Sequence, residues 1–154
     1  MKRKIIFLDF DGVITTEKSK YKLDKERLDI FKTLLDRTDA EIVISSSWRR
    51  NNLEDTIRFI TERSHFVPFP FPFCHKVIGI TKRLPSRFRG EEIDLYIKEN
   101  LEGQNFNYVI LDDDSDMLKK QKKNFVNTHW GLGINEEDVE KAIKILNKEE
   151  WELS

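Results

Sequence analysis

Four short apolar runs set the limits on what this chain can fold into. IIFL (5–8), IVI (42–44), VIGI (77–80) and YVIL (108–111) are too short for buried helices and are mostly β-branched, so they read as strands. The runs are continuous rather than alternating, which means that both faces of their sheet are covered. A shorter run, FV (125–126), supplies a fifth strand. Helical spacing fills the intervals. Asp24 can cap a helix that buries Leu28, Phe31, Leu34 and Leu35. Leu53, Ile57 and Ile60 share a second face, Ile93, Ile97 and Leu101 a third, and Val139, Ile143 and Leu146 a fourth. This alternation predicts an α/β fold, a three-layer α/β/α Rossmann-like parallel sheet of about five strands. No repeat or linker interrupts it, so one domain is expected over 1–154. Residues 66–73 alternate Phe with Pro near their end and exclude a regular helix. Their phenylalanines are expected to pack in the core or at an edge, with a partner surface as the other reading.

In such sheets ligands bind beyond the carboxyl ends of the strands. Asp9 and Asp11 follow the first strand, Ser45, Ser46 and Ser47 the second, and Asp112 and Asp113 the fourth. Four carboxylates at one edge would repel one another, and a hard dication with oxygen ligands, magnesium in the usual case, relieves that repulsion. The cation would also hold a phosphate and draw charge from its phosphorus. Asp9 is placed as a nucleophile, and Asp11 can protonate the leaving alkoxide and later deprotonate water. Gly12 permits a tight turn that brings backbone N–H groups to the phosphate. Ser45 adds a hydroxyl, Ser46 can share that task, and the next helix N-terminus is expected to add donors.

These segments resemble the motifs of the haloacid dehalogenase (HAD) superfamily. IIFLDFDGVI (5–14) is similar to its DxDG motif, EIVISSSWRR (41–50) to its strand ending in Ser or Thr, and YVILDDDSDM (108–117) to its strand ending in paired acids. The resemblance implies that Asp9 is nucleophile and metal ligand. It implies that Asp11 is the acid/base with its backbone carbonyl on the metal, and that Ser45 binds the transferring phosphate. Asp113 is the implied metal-binding acid of its pair, with Asp112 beside it and Asp116 supporting the loop. A basic residue that balances the phospho-aspartate is also implied; Lys82, just after the third strand, is the first choice and Arg89, at the start of the next helix, its rival.

Many superfamily members insert a cap domain that selects small substrates. Here the intervals 12–44 and 82–108 are used by loops and core helices, so no substantial cap is expected and the pocket should be open. SSSWR (45–49), RGEEI (89–93), LDDDSDM (111–117) and VNTHWGL (126–132) resemble the HAD domains of RNA-repair proteins and the phosphatase half of polynucleotide kinase-phosphatases. That resemblance implies removal of a terminal 3'-phosphate or 2',3'-cyclic phosphate from nucleic acid. Arg49 is then a candidate phosphate or substrate contact. Trp48 is a candidate for base stacking or for packing. Trp130 either braces the loop at Asp112 or touches substrate. The sequence has no Walker-type Gly-rich loop, so kinase or ligase chemistry is expected from a separate partner. A nucleotidase or small-molecule phosphatase is the alternative. A non-catalytic phosphate-binding domain is disfavoured by the intact Asp9/Asp11 pair.

Bulk properties exclude several other classes. Lys and Arg number 27 against 28 Asp and Glu, so bulk charge does not drive nucleic-acid binding, although a local basic patch can. Cys74 is the only cysteine, which excludes an internal disulfide. His65, His75 and His129 lack zinc-ligand spacing. No run approaches a membrane span, and the apolar run near the start is too short for a signal peptide, so a cytoplasmic setting is expected.

Overall fold

The computed structural model describes residues 2–149; of the expected domain span 1–154, Met1 and residues 150–154 lie outside them. Strand β1 (Arg3–Leu8) is followed by α1 (Lys25–Thr38), β2 (Glu41–Ile44), α2 (Leu53–Thr61) and β3 (Val77–Ile80). Then come α3 (Arg89–Asn100), β4 (Phe106–Asp112), β5 (Phe125–Asn127) and α4 (Glu136–Leu146). Two 3-10 turns, Cys74–Lys76 and Lys119–Asn124, precede β3 and β5. Neither carries an apolar period of the kind that marks the longer helices.

The sheet order is β3-β2-β1-β4-β5, with every neighbouring pair parallel. The alternation of side chains along each strand divides the core in two. Ile6, Leu8, Ile42, Ile44, Val109 and Leu111 face α1, α2 and α4, meeting Phe31, Leu34, Ile60, Val139 and Ala142. Ile5, Phe7, Val43 and Ile110 face the opposite way, toward Ile93 and Leu101, with Tyr96 and Ile97 packed against them. Gly79 serves that second layer, because a Cβ there would sit 2.6 Å from the Tyr96 hydroxyl. The result is the expected three-layer α/β/α arrangement, heavier on one face, without a large cap.

Helix starts follow local chemistry. Asp24 accepts from the Arg27 amide and Asn52 from the Asp55 amide, while Asn135 and Asp138 form a reciprocal capping box. The Phe/Pro segment is drawn into the core: Phe71 and Phe73 are buried, with ring centroids 5.3 Å from Phe10 and 5.8 Å from Phe31, respectively. Phe69 and Phe73 also wall a groove of about 1040 Å³ against Leu28 and Leu35 of α1. Among the described residues no helix is long and apolar enough to cross a membrane.

The strand order decides where chemistry can occur. From β1 the chain winds outward through β2 to β3, then returns to lay β4 on the other side of β1. The crevice between β1 and β4 is therefore a topological switch point, where loops diverge and leave the strand ends open. Leu8 pairs with Leu111 in register, so the next residues, Asp9 and Asp112, emerge side by side.

Candidate active site

Asp9 is tied to this edge by its amide, which donates to the Leu111 carbonyl at 3.0 Å. Its carboxylate lies with those of Asp112 and Asp113 in a group whose ligand atoms are all within 4.8 Å of one another. Asp9 and Asp112 are buried and Asp113 is half-buried. The approach of Asp113 depends on Gly12. A Cβ at that position would lie 2.3 Å from an Asp113 carboxylate oxygen, and Gly12 has the left-handed φ of +77° that glycine tolerates.

Three acids in this space are electrostatically frustrated. Burial, reinforced by Asp112 and Asp113, raises the Asp9 pKa well above the ordinary carboxylate range, against the pull of Arg89. Burial likewise pushes Asp112 up to about 7, opposed by Arg89 and by the Asp114 amide bonded to its Oδ1 at 2.9 Å. A dication would be attracted to this oxygen set, and the donors suit magnesium.

Arg89 supplies the countercharge within the protein. It opens α3, where its amide is held at 3.0 Å by the Asp116 carboxylate, a cap reaching in from the loop after β4. Its guanidinium lies 3.2 Å from Asp112, 3.6 Å from Asp9 and 3.7 Å from Glu92, and donates to the Ser45 carbonyl. Burial works against its charge, but Asp9, Asp112, Glu92 and Asp116 together raise its pKa. Lys82 is not brought into this cluster. Its side chain is 71% exposed and pairs with Glu99 at 3.1 Å.

Asp11 stands beside the trio rather than in it. Its Oδ1 accepts from the Trp48 indole at 3.1 Å and from the Thr15 hydroxyl at 3.4 Å. Burial raises its pKa, and these two hydrogen bonds moderate the rise. A group with both states accessible can give a proton and later take one.

The serine turn after β2 divides its labour. Ser45 leaves the sheet with its amide on the Leu8 carbonyl at 2.9 Å. Its hydroxyl is buried and has no hydrogen-bond partner among the described residues, so it is available to an incoming oxygen. Ser46 accepts from the Trp48 amide at 3.1 Å, which leaves its O–H proton to donate. The next helix, α2, starts at Leu53, after a turn closed by the Arg49 amide on the Ser46 carbonyl at 3.1 Å.

Arg49 is turned inward, against the expectation of a phosphate contact. Only 4% exposed, it pairs with Glu92 at 3.0 Å and donates to the Ser46 carbonyl and the Thr81 hydroxyl, each at 2.6 Å. A buried guanidinium needs these partners, which leave it locking β2, β3 and α3 together. Trp48 is also buried, packed on Phe10 at 5.0 Å and Phe59 at 5.7 Å, so its face is not free for a base. The sequence reading missed Glu92 and Thr15; the only local hint was the acidic pair in the first turn of α3.

A Rossmann-like sheet with an aspartate just after β1, acids at the end of β4 and a free serine hydroxyl after β2 fits the HAD-type class of phosphatase-like hydrolase domains. The chain matches the family described as the HAD domain in Swiss Army Knife RNA repair proteins over residues 5–139, and it belongs to that family. No curated protein and no solved structure matches it.

Proposed function

We propose that the chain is a magnesium-dependent phosphomonoesterase that removes a terminal 3'-phosphate, or a 2',3'-cyclic phosphate, from a nucleic-acid end. The observation that carries this reading is the Asp9–Asp112–Asp113 group at the same sheet edge as the unpartnered Ser45 hydroxyl. Asp9, Asp112 and Asp113, with the Asp11 backbone carbonyl, would hold the magnesium. When bound, it offsets the acids' repulsion and withdraws charge from the phosphoryl oxygens.

In the first step an Asp9 carboxylate oxygen attacks phosphorus as the ester P–O bond breaks, and Asp11 gives its proton to the departing alkoxide. In the second step water attacks the phosphorus of the acyl phosphate, Asp11 takes the water proton, and Asp9 and inorganic phosphate are released. Arg89 faces the charge that gathers on Asp9 and its phosphoryl group, and Ser45 donates to a phosphoryl oxygen. The nucleic-acid substrate is supported by the RNA-repair setting of the family and by the lack of a large cap. A separate kinase or ligase would complete end repair.

The test is phosphate release with magnesium from matched oligonucleotides carrying a 3'- or a 5'-phosphate, with mononucleotides alongside. Preference for the 3'-phosphorylated oligonucleotide supports the reading. Equal or better turnover of mononucleotides replaces it with a nucleotidase, and no turnover of any phosphoester removes the enzymatic assignment.

A further inference from the structure

The loop after β5 exposes an aromatic ring whose burial nothing in the fold requires. Trp130 is 53% exposed and Leu132 66%, whereas Thr128, Gly131, Gly133 and Ile134 around them are buried. The backbone is strapped down while these side chains point outward. Thr128 donates through its amide to the Asp112 carbonyl at 3.0 Å and through its hydroxyl to the Gly12 carbonyl at 2.7 Å. Trp130 thus stands two residues from a direct tie to both acidic loops. The Ile134 amide binds the Val13 carbonyl at 2.8 Å, and His129 Nδ1 accepts from the Gly131 and Leu132 amides at 3.1 and 3.2 Å. The His129 ring lies nearly parallel to the indole, 22° between planes. An outward indole on a fixed backbone is an efficient stacking surface, because the loop itself has little freedom left to lose on binding.

A basic loop is bonded to the same segment. The Glu17 amide donates to the Gly131 carbonyl at 2.9 Å, and an antiparallel bridge between Thr15 and Leu23 closes residues 16–22 into a tongue. The tongue carries Lys18, Lys20 and Lys22 against the single acid Glu17, and none of the three lysines has an ion-pair partner among the described residues. Lys20 and Tyr21 are both left-handed, at φ 57° and 59°, a conformation that costs energy in residues with side chains. Seven backbone and hydroxyl bonds within the tongue, among them Tyr21 amide to Thr16 carbonyl at 2.9 Å, hold it there. In a chain of net charge −1 this is a local concentration of positive charge beside an exposed aromatic.

We infer that Trp130 and the tongue lysines form a binding track for a single-stranded nucleic-acid end, with a base stacked on the indole and the backbone phosphates met by Lys18, Lys20 and Lys22. This deepens the phosphatase reading and rests on it for the site toward which the strand is led. The track selects polynucleotide over mononucleotide.

The test is binding of a fluorescent, 3'-phosphorylated hexanucleotide to Asp9→Asn protein, read by anisotropy across a salt series. Replacing Asp9 relieves repulsion among the acids, so the fold is preserved and turnover does not interfere. Trp130→Ala is expected to weaken binding about tenfold and Trp130→Phe to retain most of it. The Lys18→Ala/Lys20→Ala/Lys22→Ala variant is expected to flatten the logarithmic salt dependence by roughly 2. Affinity and salt slope equal to those of the parent in both the Trp130→Ala and the triple variant would overturn the track. Turnover by the unsubstituted protein is scored separately: oligonucleotide hydrolysis with no binding change at Trp130 or the lysines sinks the track and leaves the phosphatase standing. Binding changes without hydrolysis of any phosphoester do the reverse.

Discussion

The indole Nε1 of Trp48 donates to Oδ1 of Asp11 at 3.1 Å, joining a residue of the serine turn to the acid/base candidate of the β1 loop. The ring is fixed by Phe10, Phe59 and Phe66, with centroids 5.0 to 6.1 Å away, so the hydrogen bond has a rigid donor. It favours the ionised carboxylate and also sets its direction. Trp48→Phe keeps much of the packing and removes the donor. The expected outcome is a fall of about tenfold in kcat, the loss of roughly 1.4 kcal/mol of positioning, with little change in KM. The Asp11 pKa should rise further, so the acidic limb of the kcat profile, where water attack needs the ionised form, moves to higher pH. A profile identical to that of the parent would dissociate Trp48 from the acid/base function.

Arg89 and Lys82 give opposite expectations from similar sequence surroundings. Arg89→Ala leaves Asp9 and Asp112 without their nearby cation and is expected to reduce kcat by about two to three orders of magnitude, with Arg89→Lys intermediate. Lys82→Ala breaks only an exposed pair with Glu99 and is expected to change kcat by less than about twofold and stability by less than ~1 kcal/mol. Steady-state kinetics on the two alanine variants decides the matter. A large loss at Lys82 would mean that the loop after β3 rearranges to carry its ammonium inward.

The reason for that ambiguity shows what the sequence could and could not convey. Continuous β-branched runs reveal buried strands because the signal is local, and acids at strand ends become neighbours once the sheet is parallel. The placement of Asp9 with Asp112 and Asp113 was legible on those grounds. Side-chain direction in the connecting segments was not. Arg89 is aimed by being the first residue of α3 and by Asp116 gripping its amide, a contact across 27 positions. Arg49 reads as a substrate contact and Trp48 as either a stacking or a packing residue, and Glu92 and Phe10 bury them. Both depend on long-range partners that no local pattern announces. The turn bond that Ser46 accepts from the Trp48 amide is equally silent in the sequence, because a hydroxyl that closes a turn and one that awaits a ligand have the same letter.

The acidic trio also makes stability depend on pH and cation together. Asp112, at about 7, and Asp9, well above its ordinary value, both titrate higher in the folded protein than the 3.8 of a free aspartate. Between about pH 4 and pH 7 the folded state therefore binds more protons than the unfolded state, and stability falls as pH rises through that window. The metal-free protein is expected to melt higher at about pH 5.5 than at about pH 8. Asp39 and Glu140, held low by surface pairs with Lys76 and Arg37, titrate below this window and do not oppose the trend. Magnesium at the higher pH should restore the lost stability, because it binds the ionised trio of the folded chain. Asp113→Asn should forfeit much of that increment. Thermal melts at two pH values, with and without magnesium, check each step, and a melting temperature insensitive to magnesium would remove the cation from this site.

Ser45 separates ligand binding from folding more cleanly than any other position. A buried hydroxyl without a partner contributes nothing to the free protein through hydrogen bonding and carries a desolvation penalty. Ser45→Ala is therefore expected to leave the melting temperature unchanged or to raise it slightly. Its neighbour gives the contrast: Ser46→Ala deletes the acceptor for the Trp48 amide and should cost about 1 kcal/mol of stability. If the Ser45 hydroxyl meets a phosphoryl oxygen, Ser45→Ala should weaken inhibition by inorganic phosphate and vanadate about tenfold and raise KM to a similar extent. Melting curves and inhibition constants on the two single variants read both effects. Destabilisation at Ser45 with unaltered phosphate affinity would show that its hydroxyl serves the fold, and the phosphate would then have to be held from the Asp9–Arg89 side alone.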